Sequence, residues 1–273
     1  MMRRETNGLK IVGYGLSCLG LLVVLAVSLP ADTLPGSAKV TILYDNYAHT
    51  QGTKADWGFA CLIEGPEKTI LFDAGTQPDI FWHNIKTLGV DVTKADVVVI
   101  SHEHGDHTGG LWTFLEKKKN VPVYVPVSFS QEFEHRVEAL GSRTIRLDSP
   151  KEICPGVVLT GEMKGRANEH ALIFDTSRGA AVLTGCAHPG IARIVERSKE
   201  IMHKDVYFVF GGFHLMEHSQ AQVDKIIERF KAAGVVKCGA THCTGDQQIE
   251  WFKQAYGKNY VPMGVGQVIE IAK

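Results

Sequence analysis

Residues 101–110 read Ser-His-Glu-His-Gly-Asp-His-Thr-Gly-Gly, which places His102, His104, Asp106 and His107 within six positions. The run before them, 95–100 (A-D-V-V-V-I), is short, β-branched and bounded by polar residues, as a buried strand is. The cluster therefore occupies the loop leaving a strand's C-terminal end, where open α/β sheets place their sites. Imidazole and carboxylate ligands suit zinc, manganese or iron. Spacing this close suggests two ions, His102 and His104 holding one, Asp106 and His107 its neighbour. A polar loop that happens to be rich in histidine is the bland alternative. It leaves four ligand-type side chains directly after a buried strand unexplained. Thr108 is placed to cap the following helix.

The rest of the chain repeats this layout. Residues 39–44 alternate as a first strand, 45–57 form a polar loop able to reach the site's mouth, and 58–64 with 69–73 form a hairpin. Helices are expected over 78–88, from 108 to 115, over 128–140, from 190 to about 201, over 220–233 and over 247–256. Further strands are expected at 121–125, within 144–160, at 171–174, 180–183, 206–210, 235–239 and 267–271. Histidine follows a strand at His102, His188, His214 and His242. Four strand ends converging on one edge assemble a site from residues distant in sequence. Glu169 and His170 precede a strand and are candidates to enter the pocket. His49 lies in the first loop, where a surface role is the simpler reading. His83, His135, His203 and His218 have no strand-end context. Lys117, Lys118 and Lys119 read as a solvated helix end.

Composition matters chiefly for what it excludes. The chain has 273 residues, 44% hydrophobic and 22% charged, with a formal net charge of -1. That supports one large domain or two small ones, and gives no support for nucleic-acid or anionic-membrane binding. The N-terminus departs from this average. Arg3, Arg4 and Lys10 precede an apolar run over 11–29, the pattern of a secretory signal or membrane anchor. The run is about nineteen residues, near the length that spans a bilayer. Ala26-Val27-Ser28 offers a cleavage site, so a cleaved leader and an uncleaved anchor both stay open. Either places the domain outside the cytoplasm, periplasmic or extracellular. Residues 1–38 are thus leader plus linker, and 39–273 the functional domain. Five cysteines follow the leader, in no spacing of a zinc ribbon or a disulfide framework.

The H-x-H-x-D-H motif after a hydrophobic strand resembles the signature of the metallo-β-lactamase-fold superfamily. L-F-D-A-G at 71–75, T-G-C-A-H-P-G-I at 184–191, G-G-F-H-L at 211–215 and T-H-C-T-G at 241–245 are similar to the branch named after dihydropterin-ribofuranosyl-aminobenzene-phosphate synthase. The resemblance runs from about residue 39 to the C-terminus. It implies an α/β fold, a four-layer αββα sandwich of two similar halves. It implies two divalent metal ions, zinc first, with manganese or iron as alternatives. His102, His104 and His188 would hold one; Asp106, His107 and His242 the other. Asp73 would orient a ligand histidine. Many members carry a bridging aspartate where this chain has Gly185-Cys186, so Cys186 is a thiolate ligand or a buried bystander. Asp106 and His214 are the candidate catalytic residues. His214 binds a substrate phosphate or carboxylate, protonates a leaving group, or is simply a satisfied loop histidine.

Two such ions about 3.5–4 Å apart lower the pKa of a water and clamp developing charge. The expected activity is hydrolysis of a small-molecule ester: phosphoester, phosphodiester, thioester or lactone. The alternatives are a synthase-like transferase, which the leader argues against because that pathway's substrates are cytosolic, and a non-catalytic metal-binding module. Substrate and oligomeric state are not legible.

Overall fold

Side chains along a strand face alternately to either side, so an apolar strand can serve two cores at once. The computed structural model, which describes residues 33–272, uses this throughout. Strands β1 (Ala38–Tyr44), β2 (Ala60–Glu64), β3 (Thr69–Phe72), β4 (Val97–Val99), β5 (Pro122–Pro126) and β6 (Arg143–Leu147) lie in one sheet. Strands β7 (Lys151–Cys154), β8 (Val157–Leu159), β9 (Leu172–Thr176), β10 (Gly179–Thr184), β11 (Val206–Gly212) and β12 (Lys237–Thr241) form a second. The C-terminal β13 (Val268–Ile271) returns to the first sheet and pairs antiparallel with β1, giving the orders β13-β1-β2-β3-β4-β5-β6 and β12-β11-β10-β9-β8-β7.

Val40, Ile42, Ile63, Ile70, Phe72, Val97 and Val99 of the first sheet meet Leu172, Phe174, Leu183, Phe208 and Phe210 of the second in a central core. The intervening residues face outward. Leu62, Leu71, Val98 and Val123 share a core with helices α1 (Pro78–Leu88), α3 (Leu111–Lys117) and α4 (Gln131–Ala139) through Phe81, Phe114 and Phe133, the single turn α2 (Gly105–Thr108) preceding α3. Ile173, Val182 and Val209 share one with α5 (Ile191–Met202), α6 (Gln220–Ala232) and α7 (Asp246–Tyr256) through Ile194, Val195, Phe230 and Phe252. The layers are helix, sheet, sheet, helix, the αββα sandwich expected.

Local signals account for several boundaries. Pro78 opens α1, and Gly89 ends it in the left-handed region, its amide donating to the Ile85 and Lys86 carbonyls. Ser219 and Gln222 form a capping box on α6. One expectation is corrected. Thr108 caps no helix: it is the last residue of α2, and its hydroxyl donates to the His104 carbonyl. Gly109 and Gly110 separate α2 from α3. Their amides donate to the carbonyls of Gly75 and Ala74, at 2.8 and 3.1 Å. A Cβ on either would collide with Thr76 or Ala74 backbone, so the two glycines let the metal-motif turn lie flat on the loop after β3.

The leader expected over 11–29 lies outside the described residues. Among those described, no helix is long and apolar enough to cross a membrane. Leu34, in the stretch read as linker, is fully buried in the central core, and its amide donates to the Asp175 carbonyl at 2.9 Å. The fold takes up the chain a few residues before 39.

Candidate metal centre

The parallel strands β3 and β4 end side by side, and so do β10, β11 and β12 in the other sheet. The loops leaving these ends carry the predicted residues and bring them together. His102 Nε2 lies 3.0 Å from His104 Nδ1. The His188 ring sits 4.7 Å from that of His102 and 4.8 Å from that of His104, centroid to centroid. His107 Nε2 and His242 Nε2 each lie 3.5 Å from Asp106 Oδ2. The Cys186 sulfur completes this second group, 3.2 Å from His107 Nε2 and 3.3 Å from His242 Nε2. The His214 ring lies 4.2 Å from that of His188, centroid to centroid and tilted by 51°, and both line the cavity.

The rings of His102, His107 and His242 are each aimed by a partner behind them. Asp73 Oδ2 lies 2.7 Å from His107 Nδ1, and the same carboxylate accepts the Ser101 amide at 2.7 Å and the Ser101 hydroxyl at 2.8 Å. Ser101 Oγ is 2.9 Å from His102 Nδ1. Asn46 Oδ1 accepts the Gly58 amide, which orients the carboxamide, so His242 Nδ1 donates to that oxygen at 2.9 Å. Partners of this kind fix the tautomer and leave Nε2 facing the centre. Asp73 thus stands where the resemblance implies. Ser101, Asn46 and Trp57, whose indole N–H donates to Asp106 Oδ2 at 2.9 Å, were not predicted. Ser101 adjoins the motif, and the other two lie in the loop read as reaching the mouth. Nothing in their residue type marked them.

Glu169 and His170 do not enter the cavity. Glu169 is fully buried behind the loop after β10, and its carboxylate accepts the amides of Cys186, Ala187 and His188 at 2.9, 2.9 and 2.8 Å. His170 is buried, its amide donating to the Ser101 carbonyl. His49 and His135 are exposed, and the His83 ring bonds the Gly52 carbonyl. Asp73, Ala187, His214 and His242 all have positive φ, between 54 and 63° apart from 52° at His242, and make four of the six such non-glycine residues described. Strained backbone of this kind, at about 1–3 kcal/mol each, concentrates at functional sites.

The electrostatics suit cation ligands. Burial holds His102 well below the usual imidazole range and His188 down at about 3, so both rings are neutral with a free lone pair. Burial would raise Asp106, but hydrogen bonds from His107 and His242 outweigh it and hold the carboxyl ionised. Burial would likewise lower His107, yet the Asp73 charge and the bonds to Asp106 and Asp73 keep it up at about 10. A cation bound at Nε2 would displace that proton. Both ring nitrogens of His188 are buried without a hydrogen-bond partner, a costly state for an imidazole that binds nothing.

Four sets of residues have ligand atoms all within 4.8 Å of one another: Asp106, His107, Cys186 and His242; His102, His104 and Asp106; His102, Cys186 and His188; and Cys186, His214 and Cys243. The first two divide the motif much as its spacing suggested. Next to them opens a cavity of about 650 Å³, lined by Trp57, His188, His214, Met216, Arg193 and Lys225 among others.

Residues 58–192 match the model of the metallo-beta-lactamase superfamily. That segment, just under half of the chain, carries a metallo-beta-lactamase domain. It is 28% identical over 282 residues to the 7,8-dihydropterin-6-methyl-4-(beta-D-ribofuranosyl)-aminobenzene-5'-phosphate synthase of Methanocaldococcus jannaschii, covering 85% of this chain and 96% of the relative. Among solved structures it is similar to Tm1679, described as a metal-dependent hydrolase of the beta-lactamase superfamily, with a TM-score of 0.74 and 24% identity over 86% of this chain and all of the other. The metallo-beta-lactamase fold protein YhfI from Bacillus subtilis gives a TM-score of 0.63 at 16% identity, over 85% of this chain and 99% of the other. These structural likenesses establish the fold, and the superfamily match accords with the histidine-rich motif lying inside the matched segment.

Proposed function

We propose that this chain is a metal-dependent hydrolase of a small ester, working outside the cytoplasm. The observation that carries the reading is the convergence of neutral imidazoles, an ionised carboxylate and the unpartnered nitrogens of His188 beside a cavity of small-molecule size. A pair of divalent ions in such a centre, zinc first, supplies Lewis acidity and a nucleophile at neutral pH. His102, His104 and His188 would hold one, Asp106, His107 and His242 the other. The chain's own groups do the rest. Trp57 holds Asp106 from the cavity side through its indole N–H. His214 lines the cavity with Nδ1 unpartnered, placed to give a proton to a leaving group. Arg193 and Lys225 line it with no carboxylate partner among the described residues. That favours a phosphate-bearing ester over a lactone or thioester.

The test is metal content of the full chain purified without chelators, followed by a panel of phosphoesters, phosphodiesters, thioesters and lactones. Turnover on a phosphate ester that is lost in His102→Ala and Asp106→Asn is expected. Full activity in either variant would overturn the reading. Bound metal with no turnover on any ester would select a non-catalytic module.

A second reading is a synthase-like transferase, supported by the extent of identity to the Methanocaldococcus jannaschii synthase. Condensation of a dihydropterin with a ribofuranosyl-aminobenzene phosphate, with no ester cleaved, would select it. The basic, apolar leader counts against it, and fractionation that finds the chain in the cytoplasm would remove that objection.

A further inference from the structure

We propose that Cys186 is a thiolate ligand shared by the two metal positions, standing where many superfamily members carry a bridging aspartate. The inference rests on the metal-centre reading above but not on any particular substrate.

The geometry around the sulfur is not that of a buried bystander, which would sit among carbon atoms. It lies 3.2 Å from His107 Nε2 and 3.3 Å from His242 Nε2. Both rings have committed Nδ1 elsewhere, to Asp73 and to Asn46. The two Nε2 atoms, Asp106 Oδ2 and the sulfur therefore form a closed ring of four ligand atoms. The edges of this ring, 3.2 and 3.3 Å from sulfur to nitrogen and 3.5 Å from oxygen to nitrogen, are set by four side chains from three separate loops. Zinc bonded at about 2.0–2.1 Å to nitrogen and about 2.3 Å to sulfur gives tetrahedral edges of roughly 3.3–3.6 Å. The four edges are therefore close to those of one coordination shell.

The same sulfur also groups with His102 and His188, within 4.8 Å. It thus faces both halves of the centre. Its backbone is held for this. Glu169 accepts the amides of Cys186, Ala187 and His188, and Gly185 packs so tightly on Ser101 that a Cβ there would strike the Ser101 hydroxyl. The loop after β10 is thereby pressed against the Asp73–Ser101 pair of the other half, which delivers the sulfur between the two groups. Cys243 is the nearby control: its thiol donates to the Cys186 carbonyl at 3.5 Å and it groups with Cys186 and His214, but it joins neither of the histidine-rich sets.

The test is cobalt(II) loading of the full chain under anaerobic, reducing conditions, read by absorption. The expected result is a thiolate-to-cobalt charge-transfer band in the near ultraviolet. It should disappear in Cys186→Ser and persist in Cys243→Ser. Cys186→Ser should bind cobalt at least about tenfold more weakly. Cys186→Asp should regain tight binding with no such band, which also answers any doubt about folding. Cobalt binding without the band in the wild type, or a band that survives Cys186→Ser, would overturn the inference. Since the band reports the ligand whether or not esters turn over, a band with no hydrolysis would sink the hydrolase reading alone. No cobalt bound would sink both.

Discussion

Asp73 and His107 lie 2.7 Å apart, Oδ2 to Nδ1, with neither side chain exposed. One residue directly follows the second strand of a hairpin and the other ends the motif after the next strand. The parallel pairing of β3 with β4 puts them in contact. Asp73 has φ 55°, a conformation that asparagine tolerates well. Asp73→Asn should therefore fold, while weakening its hold on the His107 ring. Metal affinity should fall about 10–100-fold, measured by competition with a chelator. Unchanged affinity would mean that Asp73 serves the fold alone.

Glu169 serves the loop rather than the substrate. Truncating it leaves three buried amides without an acceptor. Each such group costs about 1–3 kcal/mol, so Glu169→Ala should lose at least about 3 kcal/mol in urea denaturation. Glu169→Gln, which keeps one oxygen in place, should lose less. A loss below about 1 kcal/mol in Glu169→Ala would contradict this role.

Gly185 sits at a close approach, not at a turn that needs its flexibility. Its Cβ would meet Ser101 Oγ and crowd Asp73 Oδ2. Gly185→Ala should destabilise the fold by about 1–3 kcal/mol through overpacking. Because the displaced hydroxyl is the one that bonds Asp73 and His102, metal affinity should fall as well. Calorimetry and metal titration on one preparation would show whether the two effects travel together.

Removing metal should stop turnover without unfolding the chain. The three hydrophobic cores are filled chiefly by strand and helix residues, and none of them includes a proposed ligand side chain. Adding back zinc should nonetheless stabilise the fold, by about 2.7 kcal/mol at a hundredfold excess over Kd, and so raise the melting temperature. Circular dichroism of the chelated chain that shows a coil would refute the separation of site from core.

His214→Ala should lower kcat by about 10²–10⁴ with poor leaving groups while leaving KM nearly unchanged. With a good leaving group such as nitrophenolate, which departs without a proton, the loss should shrink. An equal loss for both would make His214 a binding or positioning residue.

A soft sulfur in the centre should also set the metal. Competition between zinc and manganese for the wild type should favour zinc more strongly than in Cys186→Asp, because thiolate disfavours the harder ion. Equal ratios in the two proteins would remove Cys186 from the coordination sphere.

The clustering of His102, His104, Asp106 and His107 was legible because covalent spacing alone keeps four ligand-type side chains on one loop after an apolar strand. His188, His214 and His242 were legible by recurrence, each following a strand that reads as buried. The helix over 78–88 was legible to the residue, since Pro78 and Gly89 mark its two ends within the local sequence. Thr108 misled, because the break between α2 and α3 depends on glycine amides reaching carbonyls some thirty-five residues earlier. Glu169 misled for a similar reason: its acceptors' partners lie on a loop that sequence places well downstream.

The amino-acid sequence by itself determined the strand alternation that feeds three cores, and the ligand-rich loop, because both are set by neighbours in the chain. Tertiary structure alone decided which groups stand behind the ligands and that β13 crosses back to β1. It decided that Asn46, Ser101 and Asp73 aim the rings, and that the loop after β10 carries the Cys186 sulfur to 3.2 Å from His107. Those contacts join residues from separate loops, and their distances follow from how two sheets pack face to face, a property no local pattern of residues encodes.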